Sequence, residues 1–273
     1  MNELFKRAIT GFIYIFLLLS AIMLDVGAFD FLFLSFGIIC LYEFKRLIRL
    51  TGLSVFIIFL FIWWLFIHLR MGDFPLYLFS LFVILTNVYL TLILFYEKTP
   101  LRLRDNKYKL LISLLYIGGG CIFIPLIYKR EIVTAYSIAD AQLTMIGLLC
   151  IIWASDSFAY LVGKSFGKHK LFERVSPKKT IEGFVGGLIG AVVTSSLIAL
   201  YSSKEVWQWI ILAIVLVFTG TIGDLVESSF KRQANVKDSG TILPGHGGLL
   251  DRLDSLIFAS PFAFWILEIL NYF

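Results

Sequence analysis

Apolar residues run through this chain in long blocks, and polar residues fall mainly in the gaps between them. The blocks lie at about 8–24, 28–44, 53–69, 76–96, 110–128, 142–163, 183–201, 207–230 and 250–270. Crossing about 30 Å of hydrocarbon takes about 20 helical residues, with a range of about 17–25. Each block therefore predicts one membrane-crossing helix, and the chain reads as an all-α, polytopic bundle of about nine spans. There is no internal inverted repeat of the kind that marks many transporters, and no low-complexity linker. Residues 1–140 form an N-terminal set of about five spans, expected to act as scaffold. Residues 141–273 form a C-terminal set of about four spans with two long polar loops.

Composition agrees with lipid as the main solvent. Of 273 residues, 59% are hydrophobic and only 16% charged, against roughly 45–50% and 25% in soluble domains. Cys40, Cys121 and Cys150 all sit inside apolar blocks without CxxC spacing, so they read as small hydrophobes. Lys6 and Arg7 before the first block resemble a signal peptide in outline. Asp25 to Asp30 offers no small-x-small cleavage site, which predicts an uncleaved first span. With the N-terminus placed in the cytoplasm, nineteen lysines and arginines fall in inside segments and four, Arg70, Lys129, Arg130 and Lys204, outside. That bias sets the expected orientation. It also accounts for the net charge of +5 without a nucleic-acid partner. The expected location is the cell (inner) membrane, with the N-terminus and the active site on the cytoplasmic side.

Ionisable groups inside a span are costly unless they face the protein interior and find a partner. Asp156 lies eight residues before Lys164 and Asp224 seven before Lys231, which places them roughly 12 and 10 Å below the inner boundary. Asp251 and Asp254 open the ninth block from the same side. Residues three or four apart share a helix face, so Asp224, Glu227 and Ser228 form one polar stripe and Asp251, Asp254 and Ser255 another. Gathered carboxylates repel one another or take up protons. A hard divalent cation, Mg²⁺ above all, relieves that and leaves sites for phosphate. Ion pairing with Lys231, Arg232 and Arg252, and a proton or cation path, are the other readings of the same spacing.

Two loops carry the remaining candidates. The first, Lys164 to Gly183, contains His169, Lys178 and Lys179; the lysines either clamp a polyphosphate or serve orientation alone, and His169 reads as solvated. Within it Ser176 and Pro177 have the form of a helix start, serine as N-cap and proline at the first helical position. The second, Lys237 to Gly248, has four glycines and a proline within nine residues, a composition that can turn backbone N–H groups toward an anion. It leads into the N-terminus of the ninth helix, which also favours phosphate.

Read as one string, Ser228-x-Phe230-Lys231-Arg232-x4-Lys237-Asp238-x-Gly240-x2-Leu243-Pro244-x-His246-Gly247-Gly248-Leu249-x-Asp251-Arg252-Leu253-Asp254 resembles the signature of the phosphatidate cytidylyltransferase family at every fixed position. Ser155 to Tyr160 and Ser176 to Gly183 are similar to that family as well. The resemblance covers roughly residues 150–260.

The resemblance implies transfer of CMP from CTP to phosphatidate, giving CDP-diacylglycerol and pyrophosphate with Mg²⁺ required and a monovalent cation such as K⁺ beside it. It places metal ligands at Asp224 and Asp251, with Asp254 and Asp156 as further carboxylates. It adds Lys237, Asp238 and His246 to the catalytic set, His246 either moving a proton, binding phosphate or only shaping its turn. Lys178, Lys179, Lys231, Arg232, Arg252, Gly247 and Gly248, with Asp156, are the expected substrate contacts. The lipid phosphate attacks the α-phosphorus of CTP in line, so catalysis is positioning and charge neutralisation. The site is expected to be a polar cavity open to the cytoplasm with a lateral gap to lipid, in a chain that could pair as a homodimer. A CTP-dependent lipid kinase of the dolichol kinase type and an ion-coupled transporter are the rival readings. The DGxxAR-type cluster of CDP-alcohol phosphotransferases is absent from the sequence.

Overall fold

A computed structural model of the chain describes residues 3–96, 103, 105–243, 245 and 247–271, with side chains from Ile9 onward. Its helical stretches follow the apolar blocks in order: α1 Glu3–Leu24, α2 Val26–Leu47, α3 Ser54–His68, α4 Asp73–Tyr96, α5 Asn106–Thr134, α6 Ile138–Phe166, α7 Ile181–Ala199, α8 Val206–Gln233 and α9 Leu250–Leu270. Seven of them are long and apolar enough to cross a membrane, and the described apolar parts of α1, Ile9–Leu24, and of α3 are shorter. The protein is a polytopic helical membrane protein.

Helix starts are set by local polar groups that take up otherwise orphaned N–H donors. Asp25 accepts from Ala28 N at 2.7 Å, Ser137 from Asp140 N at 3.1 Å, and Thr180 from Gly183 N at 3.1 Å. Glu205 and Gln208 close a reciprocal capping box at α8. Burial is uneven. In α5, 83% of the spanning window is buried, against 28% in α4 and α6; a helix apolar all round goes to the centre of the bundle. Next to it lies α9, buried along most of its length.

Glycine brings α6 and α7 together. Gly183, Gly186, Gly187 and Gly190 place small residues four apart on the α7 face that meets α6, the pattern that lets membrane helices approach closely. A Cβ on Gly187 would lie 2.8 Å from Ser155 O, and one on Gly183 would lie 2.8 Å from Ala159 O. No side chain fits between these backbones.

Between α6 and α7 the chain forms a short hairpin, β1 Lys170–Phe172 antiparallel to β2 Ser176–Thr180, with Lys170 paired to Thr180 and Phe172 to Ser176. This corrects the helix start expected at Ser176 and Pro177. Those two residues are strand, the helix begins at Ile181, and Thr180 is its N-cap. The local Ser-Pro signal lost to pairing with β1. Glu182 seals the junction by accepting from the backbone N–H groups of Lys168 and His169 at 3.0 and 3.2 Å. His169 is exposed, as expected, with its ring Nδ1 2.6 Å from Glu182.

At the far end of the bundle a polar group ties helix ends together: Lys129 pairs with Asp30 at 2.8 Å, Arg130 with Glu268 at 2.8 Å and Lys204 with Glu131 at 2.9 Å. Gly187→Val should force α6 and α7 apart at an overpacking cost of about 1–3 kcal/mol. Thermal unfolding in detergent should show a lower midpoint for that variant, and an unchanged midpoint would contradict the contact.

Candidate active site

The stripe expected on α8 forms. Asp224, Glu227, Ser228 and Lys231 follow one another at i, i+3, i+4 and i+7, and Ser228 Oγ donates to Asp224 Oδ1 at 3.2 Å. Against it pack Asp251, Asp254 and Ser255 of α9. Carboxylate oxygens of Asp224, Glu227 and Asp254 lie within 4.8 Å of one another. Glu227 is fully buried and Asp254 nearly so. Two lysines meet this cluster. Lys231 Nζ bridges Glu227 and Asp251, the latter at 2.6 Å, and Lys179 of β2 pairs with Asp224. Burial works against the Lys179 charge, but the Asp224 carboxylate more than offsets it and lifts the ammonium above its ordinary range. Even so, Glu227 Oε1 has no hydrogen-bond partner among the described residues. An orphaned buried carboxylate oxygen is expensive, and it marks where a hard cation fits.

Asp251 is differently placed from the other three acids. Its Oδ1 faces Lys231, and its Oδ2 accepts from Ser239 N at 2.9 Å, Ser239 Oγ at 3.0 Å and Gly248 N at 2.8 Å. Its oxygens are therefore occupied in holding the α8–α9 loop. Gly247 has φ +91°, and a Cβ there would also lie 2.9 Å from Asp251 Oδ2, so both backbone shape and space require glycine.

Glu43 is a residue of this region that spacing along the chain does not reveal. It sits near the end of α2, 1% exposed. It accepts from Leu250 N at 2.8 Å, Leu249 N at 3.2 Å and Ser239 Oγ at 3.1 Å. The first N–H groups of α9, expected to face a phosphate, are thus met by a carboxylate of the protein itself. Gly240 and Gly248 leave room for it: a Cβ on either would overlap the Glu43 side chain. An acid at the edge of an apolar block looks like an ordinary boundary residue, and its partners lie some two hundred positions away. Local spacing therefore carried no signal for it.

The remaining candidates separate by surroundings. Arg232 donates to Val175 O and Val236 O, both at 3.2 Å, and so fastens the hairpin and the end of α8. Lys237 and Asp238 are exposed on the loop. His246 and Pro244 lie outside the described residues. Asp156 and Lys178 line a cavity of about 570 Å³ bounded by α6, the hairpin, α7 and α8, which Lys179 and Asp224 also line. Asp156 faces a second cavity too, of about 360 Å³, where Asp251, Arg252 and Asp254 meet α1.

Residues 5–270 match the cytidylyltransferase family. The chain belongs to that family. It is 48% identical over 132 residues to the phosphatidate cytidylyltransferase of Bacillus subtilis (strain 168), 47% of this chain and 49% of that one. It is 41% identical over 153 residues to the phosphatidate cytidylyltransferase of Staphylococcus saprophyticus, and 44% over 153 residues to that of Staphylococcus aureus (strain COL), 55% of each chain in both cases. The chain thus matches about half the length of these curated relatives.

Within this family member, Glu43→Ala should leave the backbone N–H groups of Leu249 and Leu250 without their acceptor, costing about 2–3 kcal/mol. A lowered unfolding midpoint with faster proteolysis between residues 234 and 249 is the expected result. Wild-type values for both would show that Glu43 does not hold the loop.

Proposed function

We propose that this protein is a membrane-embedded phosphatidate cytidylyltransferase that makes CDP-diacylglycerol and pyrophosphate from phosphatidate and CTP. The observation that carries the reading is the meeting of Asp224, Glu227 and Asp254 from two helices within 4.8 Å, beside Lys179 and Lys231. Family membership and the activity named for its relatives support it. The donor set is all hard oxygen and includes an orphaned one, which fits Mg²⁺. Asp224, Glu227 and Asp254 would hold the ion, with Asp251 as the anchor of the neighbouring loop. Bound there, Mg²⁺ would neutralise phosphate charge and orient the reacting phosphates.

The chain's own groups do the rest by position and charge. Lys178 and Lys179 offset the charge of the triphosphate, and Lys231 keeps Glu227 and Asp251 from repelling each other. A phosphate oxygen of phosphatidate forms a bond to the α-phosphorus of CTP as the bond from that phosphorus to the bridging oxygen breaks, and pyrophosphate leaves with the electron pair. The nucleophile is already an oxyanion, so the protein needs no general base for it. The end of the bundle carrying the hairpin and the α8–α9 loop is assigned to the cytoplasm, in the cell membrane, because nineteen of the chain's basic residues fall on that side against four on the other.

Purified protein given phosphatidate, labelled CTP and Mg²⁺ should yield liponucleotide and pyrophosphate in equal amounts, and EDTA should stop it. Asp224→Asn and Asp254→Asn should each lower turnover by about a hundredfold or more. Release of CDP without pyrophosphate would make the protein a lipid kinase instead, and full activity in both variants would remove the metal assignment.

A further inference from the structure

Ser113–Gly119, in the middle of α5, is π-helical. Such a segment inserts an extra residue into a helix, turns side chains in directions that a continuous α-helix would not, and recurs at functional sites. Contacts on two sides hold it in place. A Cβ on Gly119 would lie 2.6 Å from the side chain of Val83 on α4, and one on the adjoining Gly120 would overlap Ile257 O of α9. The side chain at the centre of the segment is Tyr116, which is 0% exposed.

Aromatic packing fixes the Tyr116 ring. Phe44 of α2 meets it edge-on with centroids 5.7 Å apart, and Phe258 of α9 does so at 5.9 Å. Phe44 in turn meets Phe230 of α8 at 5.0 Å. Phe258 follows Asp254 by four residues and Phe230 follows Glu227 by three, so these rings stand on the same helix faces as the acids. Tyr116 is thereby held beside the carboxylate cluster.

The hydroxyl at the end of that ring has no hydrogen-bond partner among the described residues. A buried O–H without an acceptor costs roughly 1–3 kcal/mol, a cost that any state satisfying it removes. Glu227, Asp254 and Asp224 are the carboxylates whose charges act on it, Glu227 most strongly. Glu227 is also the acid with a free oxygen: Oε2 is paired with Lys231, while Oε1 has no partner among the described residues. A lone buried donor and a lone buried acceptor thus occupy the same region. A carboxylate has lone pairs enough for a cation and a hydrogen bond together.

We propose that Tyr116 is a positioning residue of the cation site: its hydroxyl donates to the Glu227 carboxylate, directly or through one water, and so orients the acid that holds the ion with Asp224 and Asp254. This rests on the cation site proposed above. Loss of such an outer contact to a ligand typically weakens metal binding by about 10–100-fold. The π-helix then has a function, which is to turn a hydroxyl of the N-terminal spans toward the acids of the C-terminal ones.

Mg²⁺ titrations followed by thermal unfolding in detergent test it without turnover. Tyr116→Phe keeps the ring and its packing and removes only the O–H. Its metal-free midpoint should not fall, while the Mg²⁺ concentration that raises the midpoint halfway should increase by about tenfold or more. Activity should need the same increase in Mg²⁺, with both substrate KM values within about twofold of wild type once Mg²⁺ saturates. In otherwise wild-type protein, 3-fluorotyrosine at position 116 should give a fluorine resonance that moves as Mg²⁺ alone is added. An unchanged Mg²⁺ response in Tyr116→Phe would overturn the proposal. If its metal-free midpoint also fell, the hydroxyl would belong to the scaffold, with Asn87 Oδ1 as its acceptor; that oxygen too is unpartnered among the described residues, on a side chain bonded to Phe258 O. A fluorine signal blind to Mg²⁺ would overturn it as well, whether or not the variant folds. Wild-type protein whose midpoint ignores Mg²⁺ altogether would instead sink the cation site on which the proposal rests.

Discussion

Like charges buried together in a low-dielectric interior are the constraint around which the C-terminal half is arranged. Asp224, Glu227, Asp251 and Asp254 project from two neighbouring helices into one region, where burial limits how far water can screen them. Lys179 and Lys231 supply two positive charges, which leaves the group short of neutrality. Removing either lysine's partner, or either lysine, would strand a charge, so the elements bearing them cannot move independently. The hairpin is fixed because Lys179 is needed at Asp224, and the α8–α9 loop because Asp251 is needed at Lys231.

That coupling extends to the N-terminal helices. Glu43 of α2 takes the first N–H groups of α9. Asn87 of α4 donates to Phe258 O, and Gly120 of α5 lies close against the backbone at Ile257. The helices expected to be scaffold thus set the height and rotation of α9, on which Asp251 and Asp254 depend. A helix carrying buried acids needs such fixing, because a small rotation would carry a carboxylate toward acyl chains at a cost of several kcal/mol.

The apolar blocks showed the helices because span length and hydrophobicity are properties of consecutive residues. The stripes on α8 and α9 were legible for a related reason, since a helix makes i, i+3 and i+4 neighbours whatever surrounds it. Sequence spacing could not tell Asp251 from Asp254. Both sit on the same face, and only the loop folding back through Ser239 and Gly248 commits one to anchoring and leaves the other in the cluster. Glu43, and the strand at Ser176 and Pro177, were invisible for the same cause: their partners come from other parts of the chain, and tertiary pairing overrides local signals.

The glycines of the α8–α9 loop take on a different meaning in this light. Their composition suggests a pliant cradle of N–H donors for phosphate, yet Gly248 N is spent on Asp251, Gly247 N on Leu243 O, and the following amides on Glu43. Small residues here admit carboxylates, with Gly240 and Gly248 leaving space for Glu43 and Gly247 for Asp251. With these donors spent, the part of the loop next to α9 has little to offer an anion. Under the proposed reaction, phosphate charge would then be met by side chains, the lysines of the hairpin and Arg252, and by a cation held by the acids. On the same reading the recognition elements are long, charged side chains, while Asp251 and Asp254 among the acids they face are held by backbone N–H groups.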